Sequence, residues 1–310
     1  MYHPLNIRHQ LRHVVPSKIG YHFLAFLTIV IWGSTFVFTK MLLQNGLSPA
    51  QIFTLRFIVA YVLMLIGSLV ADRRFKLLAD SWLDEFVMLL LGITGGSMYF
   101  LTENASMLYT TATNTSLIVC TCPLFAMLLI AIVYRQTEQI TRLQALGSLI
   151  ACLGMAVVVL NGHFVLHLSP KGDLLALAAC LCWAFYSLLM KPVLQRYDTL
   201  FITRKVFFYG LVTIIPYYIF EPGFPSLEVL LRPHVLWNLL FLSVVASMLC
   251  FIMWNWVIGK LGVVVATNWV YFNPITTILF AWWLLHEQIT SWFLLGSCLI
   301  LLGMLLSDRK

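Results

Sequence analysis

Two tryptophans and the residues spaced around them are the first places in this sequence where chemistry could be done. Thr28, Trp32, Thr35 and Thr39 follow one another at four, three and four residues, which is one face of a helix. Trp183, Tyr186, Ser187 and Met190 make a comparable face later in the chain. Indoles and hydroxyls of this kind supply flat surfaces and orienting hydrogen bonds, so they suit holding a small molecule rather than breaking a bond in it. The same spacing also serves plain helix packing, with each threonine bonding its own backbone.

Further polar groups sit inside apolar sequence, where they are costly unless turned toward protein or water. Tyr99, Thr102 and Glu103 share a face. Glu103 is placed to carry a proton or hold an amine, or to lie wetted at an outer helix end. Arg56 is placed to hold a carboxylate, pair with a helix end or snorkel. Trp254 shares a face with Ser243, Ser247 and Cys250. Thr111, Asn114, Thr115 and Thr121 precede Pro123, and Thr267, Asn268, Tyr271 and Asn273 precede Pro274. A proline frees a carbonyl one turn earlier, and a broken helix can present such groups to a substrate. Trp32, Asn114, Trp183 and Tyr271 are expected to line one cavity. Glu138 and Glu287, each three residues before a threonine, read as braces for the next helix.

No enzyme constellation accompanies these groups. There is no phosphate-binding loop, no G-x-S-x-G and no H-E-x-x-H; His286-Glu287 lacks a second histidine. The C-x-C pairs Cys120/Cys122 and Cys180/Cys182 put their thiols on different sides of a helix, which suits small apolar filling better than a metal. Neither a cofactor nor a metal is expected, and the energy is expected from a gradient or simple exchange rather than from ATP.

The elements that must position these residues are membrane helices. Of 310 residues 61% are hydrophobic and 10% charged, far from the balance of a soluble domain. Apolar windows of spanning length fall at 21–41, 50–71, 85–103, 111–133, 143–161, 172–190, 205–220, 235–258, 263–285 and 291–306. With short loops between them, they must be helices. The expected class is therefore an all-α integral membrane protein, with residues 1–20 as a cytoplasmic segment and the first span retained as an anchor. The net charge of +7 invites a nucleic-acid partner, but its distribution argues for orientation in a bilayer instead. With the N-terminus inside, fifteen Lys and Arg fall on the cytoplasmic side and only Lys40, Lys171 and Arg232 on the other. Both termini then face the cytoplasm, and the expected home is the cytoplasmic (inner) membrane.

The chain also repeats itself. Trp32 and Trp183, Lys40 and Lys191, Asn104 and Asn255, and Pro123 and Pro274 are each separated by 151 residues. E-Q-I-T at 138–141 returns at 287–290, and L-G-M at 153–155 returns at 302–304, now 149 residues apart. The units are 21–161 and 172–306, five helices each. An odd number of helices makes the second unit enter from the opposite side, so ten transmembrane helices form two inverted repeats, an arrangement transporters use.

W-G-S-T-F-V-F-T-K at 32–40, the proline-bearing fourth and ninth helices and the Glu138 and Glu287 turns resemble the EamA family of the drug/metabolite transporter superfamily. The resemblance covers about 21–306 and implies a central cavity, with helices 5 and 10 at the periphery. W-A-F-Y-S-L-L-M-K at 183–191 departs from the pattern in lacking the glycine. The expected function is secondary transport of a small organic metabolite, an amino acid or similar, by alternating access. Multidrug or toxic-compound efflux is the alternative, and a membrane-embedded enzyme or lipid-handling protein is the more distant one. The expected partners are the substrate and the lipid bilayer. Glycines at 147, 154, 296 and 303 suit either internal packing or a dimer face, so monomer and homodimer both stay open.

Overall fold

A computed structural model describes residues 18–71, 76–110, 112–136, 139–160, 169–219, 223–285 and 291–308. Glu138 and Glu287 lie outside them. The first half contains α1 (Lys18–Gln44), α2 (Pro49–Ala71), α3 (Trp82–Tyr109), α4 (Ala112–Val119 and Cys122–Val133) and α5 (Arg142–Leu160). The second contains α6 (Pro170–Val193), α7 (Thr199–Ile219), α8 (Pro233–Leu261), α9 (Val263–Asn268, Trp269–Phe272 and Asn273–Leu285) and α10 (Ser291–Asp308). No strand occurs among the described residues. Eight of these stretches are long and apolar enough to cross a bilayer, and Arg142–Val158 and Leu294–Ser307 are shorter apolar helices. Their outer faces carry exposed Leu63, Ile66, Leu149, Leu153, Leu302 and Leu305. Such faces are stable only against lipid, and the chain is a multi-pass membrane protein.

Two helices run farther than apolar windows alone suggest. The third extends from Trp82 to Tyr109 and the seventh from Thr199, because their terminal charges are neutralised locally. Ser81 and Asp198 cap the two N-termini by accepting from the amides of Asp84 and Leu200. The longer α3 also moves Glu103 well inside its helix, where only 8% of the residue is exposed. It is not the wetted interfacial carboxylate that a shorter helix would have made it.

Four helices are irregular, at related places. The α3 ladder widens to a π-helix at Ile93–Ser97, and α8 does so at Phe241–Leu249; adding 151 to the first range places it within the second. Helix α4 is interrupted between Val119 and Cys122, and α9 tightens to a 3-10 turn at Trp269–Phe272. Pro123 and Pro274 each follow the irregularity at once, since neither offers an N–H to continue the ladder. The glycines of α5 and α10 face each other. A Cβ on Gly303 would sit 2.4 Å from the Ala151 nitrogen, and one on Gly154 would sit 2.8 Å from the Gly296 carbonyl. This small-residue face is consumed inside the chain.

Candidate functional site

Three indoles meet between the halves. Trp32 of α1 lies with its ring centroid 5.3 Å from Trp183 of α6, edge-on at 86°, and 5.1 Å from Trp254 of α8. Phe251 of α8 is 5.9 Å from Trp32 and 6.0 Å from Trp183. Edge-to-face contacts of this kind satisfy the ring quadrupoles and hold the planes at fixed angles. Trp32 Nε1 donates to the carbonyl of Ala246, 2.9 Å away, within the π-helical stretch of α8. The wider turn there takes carbonyls out of the ordinary helical ladder.

Beside the indoles is a cavity of about 30 Å³, large enough to hold water. Trp32, Thr35 and Phe36 line it from α1, and Tyr99, Phe100 and Glu103 from α3. Arg56, Trp183 and Phe251 contribute from α2, α6 and α8. The remaining wall comes from the two interrupted helices: Val119 and Cys122 flank the break in α4, and Val270 and Asn273 adjoin the 3-10 turn of α9.

The cavity holds both signs of charge. Arg56 is 2% exposed; its Nε donates to Ser247 Oγ at 2.9 Å, and its guanidinium lies 4.6 Å from the centroid of Phe100. Glu103 accepts from the Tyr99 hydroxyl at 2.7 Å. Neither makes an ion pair among the described residues, so the two charges flank the space without closing on each other. Asn273 adds an acceptor, since its Oδ1 has no partner among the described residues. A guanidinium, a carboxylate and an amide on an aromatic wall can orient a small molecule that carries a carboxylate and an amine. Nothing in the set resembles a nucleophile with its base.

The other sequence candidates fall elsewhere. Tyr186 is buried behind the cavity and donates to Asn255 Oδ1 at 2.8 Å. Trp254 packs at a tilt against Trp32 and Trp183, and its Nε1 finds no partner among the described residues. Tyr271, expected on the cavity wall, is fully buried beneath it; the tightened turn of α9 presents Val270 and Asn273 instead. Asn268 is held between α5 and α10, accepting from Ser148 at 3.0 Å and donating to Ser307. It borders a separate recess with His22 and Trp269. The Asn114 side chain lies outside the described residues, although its helical backbone is within α4.

Several wall residues are not marked as cavity by the sequence: Phe36, Phe100, Val119, Phe251 and Val270, and Cys122, which reads there only as small apolar filling. A signal for most of them was present. Phe100 and Phe251, Val119 and Val270, and Cys122 and Asn273 are all 151 residues apart, like Trp32 and Trp183. The wall is therefore built largely from repeat-related pairs, apolar ones included.

Comparison with known proteins gives a consistent result. The sequence profile of the EamA-like transporter family matches residues 19–160 and 170–307. An uncharacterized transporter of Archaeoglobus fulgidus is 27% identical over 291 residues, covering 93% of this chain and 97% of that protein. A probable terminal-alkyne amino-acid exporter of Streptantibioticus cattleyicolor is 27% identical, with 92% of each chain covered. A probable amino-acid metabolite efflux pump of Salmonella typhimurium is 26% identical, covering 91% of this chain and 92% of that one. A solved crystal structure superposes with a TM-score of 0.76 over 95% of this chain and 100% of its own. At 17% identity that likeness speaks to the fold alone.

Proposed function

This chain belongs to the EamA-like transporter family and moves small molecules across a membrane, and we propose that it is a secondary transporter of amino acids or closely similar zwitterions. It works by alternating access in the cytoplasmic membrane, through ten transmembrane helices arranged as two inverted five-helix repeats, with both termini inside. The observation that carries the substrate reading is the pair Arg56 and Glu103, buried on one small aromatic cavity without pairing to each other. A buried unpaired charge is costly, so each is best accounted for by a ligand that completes it. Arg56 takes the substrate carboxylate, Glu103 and the free Asn273 oxygen take its ammonium, and the indoles cover the side chain. The descriptions of two relatives, a probable terminal-alkyne amino-acid exporter of Streptantibioticus cattleyicolor and a probable amino-acid metabolite efflux pump of Salmonella typhimurium, point the same way.

Alternating access is supported by the sequence offset and by the related irregularities of α3 with α8 and of α4 with α9. Inverted halves can exchange conformations, so one architecture opens to either side. Orientation follows from the fifteen-to-three distribution of basic residues.

The test is counterflow in proteoliposomes. Vesicles preloaded with a neutral amino acid should accumulate labelled substrate transiently and saturably. The matching amine and the matching carboxylic acid, each lacking one charge, should compete poorly. Equal competition by either single-charge analogue would sink the zwitterion reading.

A further inference from the structure

A second charged cluster lies away from the cavity, at the end of the bundle where α3 and α7 begin. Glu85 of α3 is bonded at once by the Lys205 ammonium and the Tyr209 hydroxyl of α7, and its other oxygen accepts from the Ala79 amide at 2.7 Å. Beside it, Asp84 accepts from the Tyr197 hydroxyl at 2.9 Å and from Arg196 at 3.0 Å. Arg204 donates to the Lys76 carbonyl. Each of these contacts except the Ala79 bond joins the first half of the chain to the second. Lys205 is 4% exposed, while Glu85 also borders a recess of about 230 Å³ formed with residues 78–82.

The opposite end is closed by different chemistry. The repeat offset carries Asp84, Glu85, Lys205 and Tyr209 onto Val235, Leu236, Thr54 and Ile58, none of them charged. There α2 and the turn before it meet α8 through Leu47, Ile52, Val235 and Leu239, an apolar cluster. A hinge is also in place. Between Glu85 and the cavity residues of α3, the π-helical stretch contains Gly96 at φ −123° and ψ −105°, outside helical geometry. Gly96 packs so closely on α7 that a Cβ would approach the Gly210 Cα to 3.2 Å. Kinks of this kind let one part of a helix swing while the other stays.

We propose that Glu85 and Lys205, with Tyr209, are the latch of the cytoplasmic gate, and that the first turns of α3 swing about Ile93–Ser97 to open it. This rests on the transporter reading and orientation above. With the latch made, the halves are held together on the cytoplasmic side. When it breaks, water entering through the adjoining recess solvates both charges, while Tyr99, Phe100 and Glu103 keep their places beyond the hinge. Among the described residues the outer gate has no buried ion pair to solvate; it separates by exposing apolar surface and breaking side-chain hydrogen bonds such as Tyr218 to Thr54, so the two gates respond to different substitutions.

Cys122 on the cavity wall is a built-in reporter. The other six cysteines are replaced, the protein is reconstituted, and a membrane-impermeant maleimide is applied to one face at a time. Glu85→Gln and Lys205→Met should each raise labelling from the cytoplasmic face, with the open-to-closed ratio shifted by on the order of 100-fold, the scale of losing one partner of a buried ion pair. The exchange Glu85→Lys with Lys205→Glu should return it toward the starting value. Glu85→Asp, which shortens the reach without removing the charge, should fall between and covers the case in which the stronger variants do not fold. Labelling that is substrate-protected yet indifferent to all these changes overturns the latch and leaves the transport site standing. Absence of labelling from either face in every variant takes the cavity off the pathway and removes both readings. Increased labelling from the opposite face alone overturns the latch as a cytoplasmic device.

Discussion

Trp32 is tied across the two halves of the molecule to Ala246, its indole Nε1 donating to that carbonyl at 2.9 Å, while its counterpart Trp183 makes no such bond among the described residues. The repeat offset pairs Ala246 with Gly95, and there the space is filled differently. A Cβ on Gly95 would lie 2.2 Å from the Tyr186 ring, so this ring, and no indole nitrogen, packs against α3. Both indoles line the cavity, but Trp32 is anchored by a hydrogen bond, whereas Trp183 is held by ring contacts.

That asymmetry separates the effects of two like substitutions. Trp32→Phe leaves a buried carbonyl without its donor, which costs about 1–3 kcal/mol and should lower the unfolding midpoint in detergent by several degrees. Trp183→Phe removes no such bond and should change the midpoint little while raising KM for uptake. Equal loss of stability in both variants would show that ring packing, not the Ala246 bond, distinguishes them.

Arg56 should not tolerate lysine. Its Nε is committed to Ser247 and its plane lies over Phe100, so the remaining guanidinium nitrogens can point at a ligand while the group stays fixed. A lysine ammonium cannot make the bond to Ser247 and cover the ring together. Loss of one charge-assisted bond of about 1.5–3 kcal/mol predicts that Arg56→Lys raises KM roughly 10- to 100-fold for carboxylate-bearing substrates. The measurement is initial uptake rate against concentration, and an unchanged KM would remove Arg56 from the substrate's contacts.

How these residues could be read from the sequence differs from one to the next. Trp32 and Trp183 were legible because tryptophan is rare and the 151-residue offset marks two positions at once. Phe100 and Phe251 carry the same mark, but phenylalanine is common in lipid-facing sequence and only the fold distinguishes a wall residue from an outer one. Asn268 reads as a cavity residue because an amide in an apolar span must turn inward. Inward has two meanings, however, and here Ser148 and Ser307 satisfy the amide between packed helices. Rotation of a helix apolar on nearly every side leaves little trace in its hydropathy pattern, and the local tightening of α9 that turns Tyr271 away is set by its neighbours.

The glycines of α5 and α10 give a prediction about assembly. A methyl group at Gly154 or Gly303 would meet backbone atoms at 2.4–2.8 Å, and backbone cannot rotate aside as a flexible side chain can. Gly154→Ala and Gly303→Ala should each destabilise the protein by about 1–3 kcal/mol, the usual cost of overpacking, with no change in oligomeric state by light scattering in detergent. A shift from dimer to monomer at unchanged stability would mean that this face joins two chains instead.

Glu103 gives the prediction about energy coupling. It is a buried carboxylate on the cavity wall, tied to Tyr99 and unpaired with Arg56 among the described residues. A substrate ammonium and a proton compete for such a group, because either one neutralises it. Binding of one and release of the other would then couple transport to a proton gradient in opposite directions. Glu103→Gln keeps the size and can still accept from Tyr99 through its amide oxygen, but it can no longer exchange a proton. Uptake driven by a pH gradient should therefore be abolished, whereas counterflow, which needs no net proton movement, should persist with a raised KM. The check is to run both assays on the same preparation. If gradient-driven uptake survives in the variant with unaltered pH dependence, protons do not pass through Glu103, and the counterflow KM alone decides whether it holds the substrate ammonium.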